Sequence, residues 1–399
     1  MDRLETDIVI AGGGVAGLAC AAAFGSAGFN VICVDPAPPV TDKALEGADH
    51  RTTAFFQGSR RFLEEAGIWS RLEAHAAALQ VMRIVDAGGE IAEPRVVKDF
   101  DAADISDLPF GWNLPNWLLR REMVARLAEL PNVDFLAGTG FAHMVTRTGE
   151  ALVTLTDGTA VRAKLVIGAD GRNSAVRQAV GIDAKTTRYG QKAVVFAVTH
   201  PHTHNNVSTE VHRSGGPFTL VPLPDHDGQP CSAVVWMEHG PETLRLAALD
   251  AETFSAEATE RSAGVYGPLA LVGQRQVWPI ISQVADRISA ERTALVAEAA
   301  HVVPPIGAQG LNMSVGDMSY LLDLANARPE GLGDAKMLAD YERRRHPEIV
   351  LRVRGVDALN RASIAGGQVL RDARAKGLET LYGFEPLRKT LMQLGLGAR

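Results

Sequence analysis

Apolar residues open the chain in short bursts set off by glycine: Ile8-Val9-Ile10, then Gly12, Gly13, Gly14 and Gly17, an alanine-rich stretch to Phe24, breaks at Gly25 and Gly28, and Val31-Ile32-Cys33-Val34. The β-branched runs at either end predict strands and the alanine-rich middle predicts a helix, so the unit reads strand, helix, strand. The 27 residues from Ile8 to Val34 hold no Asp, Glu, Lys or Arg, which is membrane-span length. Six glycines argue against one continuous helix. Asp2, Glu5 and Asp7 put acid where a secretory leader needs base.

Downstream, a polar stretch over 40–49 leads into Arg51 and a predicted helix over 58–66. Strands are predicted over 81–85 and 90–92, as a hairpin across Ala87-Gly88-Gly89. Apolar residues at 119, 123, 124, 127 and 130 predict a helix over 118–130, with strand-like pieces following over 133–136 and 151–155. Residues 165–167 read as a buried strand ending at Gly168-Ala169-Asp170-Gly171. Between about 186 and 285 the texture is β-rich, with strands expected over 192–198, 207–212, 218–221 and 232–237. The strand-then-helix texture returns at Leu295-Val296, with a helix over 312–325, and 341–399 reads as helical and basic. The fold class expected is α/β: a Rossmann-like dinucleotide-binding domain, an inserted β-sheet domain and a C-terminal helical segment.

At 399 residues, 46% apolar and 22% charged, the chain is expected to fold into two or three domains. Forty basic against 47 acidic residues give no electrostatic case for nucleic acid as a partner. Cys20, Cys33 and Cys231 lack metal-ligand spacing and are odd in number, which fits a reducing cytoplasm and no metal. His200, His202 and His204 have no acidic or thiol partner nearby and read as a solvated loop.

Two loops carry recognisable chemistry. Gly12-Gly13-Gly14-Val15-Ala16-Gly17 is a G-x-G-x-x-G between strand and helix, with Asp35 closing the next strand. Gly12 permits the tight turn, Gly14 the approach of a pyrophosphate, and Gly17 close helix–strand packing, while Asp35 can accept from ribose hydroxyls. The loop leaves NAD and FAD both open. In Leu295 to Asn312, a strand runs into Pro304-Pro305, and Gly307-Ala308-Gln309-Gly310 then delivers a helix N-terminus. Such a terminus suits negative charge on a reduced flavin ring. No spacing identifies a catalytic acid or base, and His301 reads as a structural histidine.

With "GADGRNSAVR" at 168–177 and "AEAAHVVPPIGAQGLN" at 297–312 in order behind the glycine loop, the chain resembles the single-component FAD-dependent aromatic hydroxylases. Within them it is most similar to the ubiquinone-biosynthesis hydroxylases of the UbiH type. "NWLLRREMVARL" at 116–127 and "GGPFTLVPLPD" at 215–225 look like further segments of that family. The resemblance implies a discontinuous FAD-binding domain (1–75, 100–185 and 286–340), a β-rich substrate domain (76–99 and 186–285) and a C-terminal helical segment (341–399).

Carried over by residue, it implies that Gly12, Gly14, Val15, Ala16, Gly17 and Asp35 hold the ADP half of FAD. Arg51 and Arg120 would touch the flavin, and Asp170 and Gly171 would serve the pyrophosphate and NAD(P)H. Glu298 would bind ribitol, and Pro305, Gly307, Gln309, Gly310, Leu311 and Asn312 would line the isoalloxazine edge. One departure stands out: the family begins its third motif Gly-Asp, and this chain has Ala297-Glu298. Phe218, Leu220, Pro222 and Pro304 are expected to line the substrate cavity.

The reaction implied is NAD(P)H- and O2-dependent hydroxylation of a prenylated phenol in ubiquinone biosynthesis, through a flavin C4a-hydroperoxide. A soluble aromatic or natural product as substrate, or a non-catalytic place in a biosynthetic complex, stand as alternatives. Leu387, Leu391 and Leu394 share a helical face near Arg388, Lys389 and Arg399, which suits peripheral contact with the inner membrane.

Overall fold

The computed structural model describes residues 4–213, 215–364 and 367–396. The opening unit forms as the pattern predicts: Ile8–Ala11, the helix Val15–Ser26, and Val31–Asp35. Both strands are buried in a six-stranded sheet, which explains their unbroken apolar sequence. Its order is Ser289–Ala290, Thr293–Leu295, Leu165–Gly168, Ile8–Ala11, Val31–Asp35 and Val133–Ala137, parallel apart from the short hairpin at the first edge. Strands far apart in sequence thus end side by side, and ligands bind at the carboxyl ends of such sheets. A four-stranded sheet of Leu4–Glu5, Ala160–Ala163, Glu150–Leu155 and Phe141–Arg147 flanks it.

An eight-stranded sheet forms the second layer. Its order is His301–Val302, Ala270–Ala285, Ala184–Thr199, Gln229–His239, Pro217–His226, Val207–His212, Val81–Asp86 and Val96–Asp101. The partner of Val81–Asp86 is Val96–Asp101, not the expected strand at 90–92. Asp86 explains the longer connection, because it is buried and holds the loop: its Oδ1 accepts from Arg95 Nη2 at 2.6 Å and from Gly88 N at 3.1 Å. Two helices unforeseen in the sequence, Gly240–Ala248 and Ala251–Arg261, interrupt the β-rich region and cover one face of this sheet. Their Leu246, Phe254 and Ala258 join Phe196, Phe218, Leu220 and Trp236 in a separate core.

His200 belongs to that layer and not to a solvated loop. It is buried, stacks on Tyr266 at 4.8 Å, and pairs through Nε2 with Ser232 Oγ at 2.9 Å. A small sheet of Thr52–Phe56, Gly111–Pro115 and Ala77–Leu79 lies between the two layers. The helix Gln309–Ala327 begins beside it, and the long helix Ala335–Ile364 braces the assembly from outside. Helices Gln368–Gly383 and Glu385–Leu396 complete the helical C-terminal region. Among the described residues no helix is long and apolar enough to cross a membrane. Arg399 and the side chain of Leu394 lie outside the described residues.

Candidate cofactor and substrate site

A cavity of about 980 Å³ runs between the layers, at the top of the range for ligand clefts, ~300–1,000 Å³. Its first wall is the glycine loop. Gly12 has φ +113°, and a Cβ there would press into the Ala169–Asp170 peptide, so glycine is required on both counts. A Cβ on Gly17 would collide with the Gly12 carbonyl, so this glycine sets how closely helix and turn pack. Gly14 is different: a Cβ there would meet nothing within 4 Å. The space in front of Gly14 belongs to the cavity, and the loop holds it open at a helix N-terminus, which suits a phosphate. Asp35 lines the same wall; its Oδ2 accepts from Gly13 N at 2.5 Å and its Oδ1 from Ala37 N at 2.8 Å.

Buried Asp49 organises the second wall, a role no local sequence signal marks. Its carboxylate takes Arg51 Nε at 2.8 Å and Nη2 at 2.7 Å, Asn116 Nδ2 at 3.1 Å, and stands 3.5 Å from Arg120 Nη2. Burial opposes its ionisation, but the Arg51 and Asn116 hydrogen bonds and the Arg51 and Arg120 charges outweigh it and lower its pKa. Arg51 also lies over the Trp278 ring at 4.0 Å. Both arginines face the cavity, and Arg120 Nε is buried with no protein partner. On the opposite side Asp170 Oδ2 accepts from Val176 N at 3.0 Å, while Oδ1 is buried without a partner. Arg172 Nε reaches Glu298 Oε2 at 3.2 Å, so the Glu298 carboxylate engages the preceding motif across the cavity.

The third wall is the turn into Gln309–Ala327. Gly307 and Ala308 both have left-handed backbones, at φ +60° and +52°. Gln309 staples them: its Nε2 donates to Gly307 O at 2.9 Å and its Oε1 accepts from Arg352 at 3.1 Å. The start of this helix, at Gln309, Gly310 and Leu311, lines the cavity together with Pro304 and Pro305, and a helix start carries the positive end of the helix dipole. Asn312 does not line the cavity. It accepts from Phe56 N and Ser59 Oγ and donates to Ala54 O and Ala308 O, tying the helix to the small sheet.

Ala297, which opens the third motif, has φ +55°, a region costly for alanine. It begins a loop anchored by a buried network that the sequence did not reveal. His301 Nε2 lies 2.7 Å from Asp317 Oδ2, and Asp317 Oδ1 accepts from Arg345 Nη2 at 2.8 Å. Burial disfavours the Asp317 carboxylate, yet the charges and hydrogen bonds of His301 and Arg345 hold its pKa below the usual range. His301 lines the cavity, and its Nδ1 has no protein partner.

The far end is a largely apolar chamber lined by Phe56, Leu79, Met82, Phe110, Val221 and Val235, with Ser208, Glu210 and Thr219 also facing it from the large sheet. The expectation for Phe218, Leu220 and Pro222 is out by one residue. Along Pro217–His226 these three point to the buried face, and Thr219 and Val221 point to the cavity. Alternation along the strand was right, but the helices over the other face reverse its sense.

A parallel sheet with a glycine loop at a helix N-terminus, opening across one cavity onto an apolar chamber, defines a dinucleotide-dependent enzyme. The residues fit FAD: the open space at Gly14 admits a pyrophosphate, the unpartnered Arg120 nitrogen supplies a buried donor, and the Gln309 helix start faces the middle of the cavity. Comparison with known proteins agrees. Residues 5–354 match the family described as FAD binding domain. Over 98% of this chain and 89% of the relative, the sequence is 33% identical to "Ubiquinone hydroxylase UbiL" of Rhodospirillum rubrum. It is 27% identical over the whole of both chains to the Escherichia coli "3-demethoxyubiquinol 3-hydroxylase". Among solved structures, p-nitrophenol 4-monooxygenase PnpA of Pseudomonas putida superposes with a TM-score of 0.81 over 100% of both chains at 19% identity, a likeness of fold. The chain belongs to the FAD binding domain family, and FAD is its cofactor.

Proposed function

We propose that this protein hydroxylates the aromatic ring of a prenylated phenol in ubiquinone biosynthesis, using FAD, NAD(P)H and O2. The observation that carries the reading is the continuity of the cavity, in which a dinucleotide cradle and a largely apolar chamber meet beneath the Gln309 helix start. The names of the relatives from R. rubrum and E. coli support the pathway. FAD when bound supplies the redox and oxygen chemistry.

The chain's own residues bind, orient and exclude water. Gly12, Gly14 and Asp35 hold the ADP half, with Gly17 setting the loop's packing. Arg51 and Arg120, aligned by Asp49, would hold the flavin from the cavity wall. The start of the helix at Gln309 would place its positive dipole end towards a bound flavin and favour negative charge there. Phe56, Leu79, Met82, Phe110, Val221 and Val235 keep the reacting ring dry and accommodate an apolar substituent.

The reading extends to peripheral contact with the inner membrane, where a prenylated phenol resides. It is supported by exposed Leu359, Val369, Leu387 and Leu391 on the C-terminal helices and Phe384 between the last two, with Arg361 and Lys389, ion-paired to Asp357 and Glu385, nearby. The test is NAD(P)H oxidation by the FAD-loaded protein with prenylated and unprenylated phenols, with product mass read in parallel. Phenol-dependent oxidation giving a product one oxygen atom heavier is expected; NAD(P)H oxidation indifferent to every phenol would overturn the proposal. Pelleting with anionic liposomes tests the membrane contact, and truncation after Gly383 is expected to weaken it.

A further inference from the structure

We propose that Asn113 orients the substrate, its Oδ1 accepting a hydrogen bond from the phenolic hydroxyl. This rests on the phenol reading above and names the group that reads the phenol. Asn113 sits at the centre of Gly111–Pro115, the middle strand of the small sheet, between Ala54 on one neighbour and Ala77 on the other. Its face of the sheet carries Ala54, Phe56 and Leu79, which line the chamber with it, and Val221 and Val235 line the chamber from the large sheet. Ser208, Glu210 and Thr219 also face the cavity from the large sheet, but on the small sheet's own face, among Ala54, Phe56 and Leu79, a buried asparagine, 1% exposed, stands out.

The amide orientation is set by chemistry. Nδ2 donates to Pro222 O at 3.0 Å. A carbonyl can only accept, so the flipped amide would place oxygen against oxygen. Oδ1 is therefore the remaining group, and it is buried without a protein partner. A buried acceptor left unmet costs free energy that a leucine or valine here would avoid.

An acceptor selects ligands that bring a donor. A phenol or hydroquinone supplies an O–H; an aryl ether or a quinone supplies none and sets oxygen against Oδ1. Asn113 thus distinguishes the reduced aromatic substrate from its oxidised counterpart.

The experiment measures equilibrium binding of 2-prenylphenol, its methyl ether and 2-prenyl-1,4-benzoquinone to the FAD-loaded protein, read by the flavin absorbance change. The wild type is expected to prefer the phenol by about tenfold, the scale of one neutral hydrogen bond with its acceptor otherwise left unmet. N113L should bring that ratio to about one while FAD affinity is kept, and N113D, measured at a pH where its carboxyl is protonated and donates to Pro222 O, retains an acceptor and should preserve the preference. Equal binding of phenol, ether and quinone by the wild type overturns the assignment, as does an undiminished preference in N113L. Should N113L fail to hold FAD, the wild type and N113D carry the test. A wild type that holds FAD and binds none of the three overturns the phenol reading itself, and the role of Asn113 with it.

Discussion

Gly14→Ala and Gly17→Ala, three residues apart in one loop, should fail in opposite ways. At Gly14 the backbone is extended (φ −72°, ψ 177°), which alanine adopts freely, and its Cβ would touch nothing within 4 Å. The fold should therefore change by no more than about 1 kcal/mol, the small loss of a glycine N-cap being offset by reduced unfolded-state entropy. The methyl group would instead stand where the pyrophosphate approaches. Losing one charge-assisted N–H bond costs ~1.5–3 kcal/mol, or roughly 10- to 150-fold in the Kd for FAD. At Gly17 the Cβ would overlap the Gly12 carbonyl, with even its carbon at 2.9 Å. Helix and turn would have to separate, an overpacking cost of about 3 kcal/mol or more. Urea unfolding of flavin-free protein measures the first quantity and flavin-fluorescence titration the second. A Gly14→Ala protein that binds FAD normally, or a Gly17→Ala protein of normal stability, would refute the division between ligand cradle and packing contact.

Strand parity gives a second contrast: F218A should cost ~3–5 kcal/mol of stability, because Phe218 is fully buried against Trp236 and Phe196. T219V should leave stability within ~0.5 kcal/mol and alter KM in phenol-dependent NAD(P)H oxidation. Ala297→Gly should stabilise the protein by about 1 kcal/mol by relieving the left-handed alanine, measured as a higher urea midpoint. R345M should cost ~3–5 kcal/mol by leaving buried Asp317 under-compensated. Because the Asp317 pKa is lowered on folding, its stabilisation is present above the unfolded carboxylate value, ~3.9, and is lost as pH falls towards its folded value. Acid titration of stability should show this loss in the wild type, and D317N should flatten it.

Features that depend on near neighbours were legible in the chain's own pattern. Strand, glycine turn and helix at 8–35 follow from local apolar runs and the steric freedom of glycine, and the helix start after Pro304-Pro305 follows from the same rules. Motif order was enough to indicate the family and its cofactor. Tertiary structure decided what depends on partners distant in the chain. Which face of Pro217–His226 meets the cavity hinged on two helices covering the other side. The alignment of Arg51 and Arg120 hinged on buried Asp49, and that of the Ala297 loop on Asp317 and Arg345, some 20 and 50 residues further along. Asn113 looks like any polar residue in a strand until folding sets one amide atom on Pro222 and leaves the other unpaired. A buried polar group takes its meaning from what surrounds it, and those surroundings come from elements that only the fold brings together.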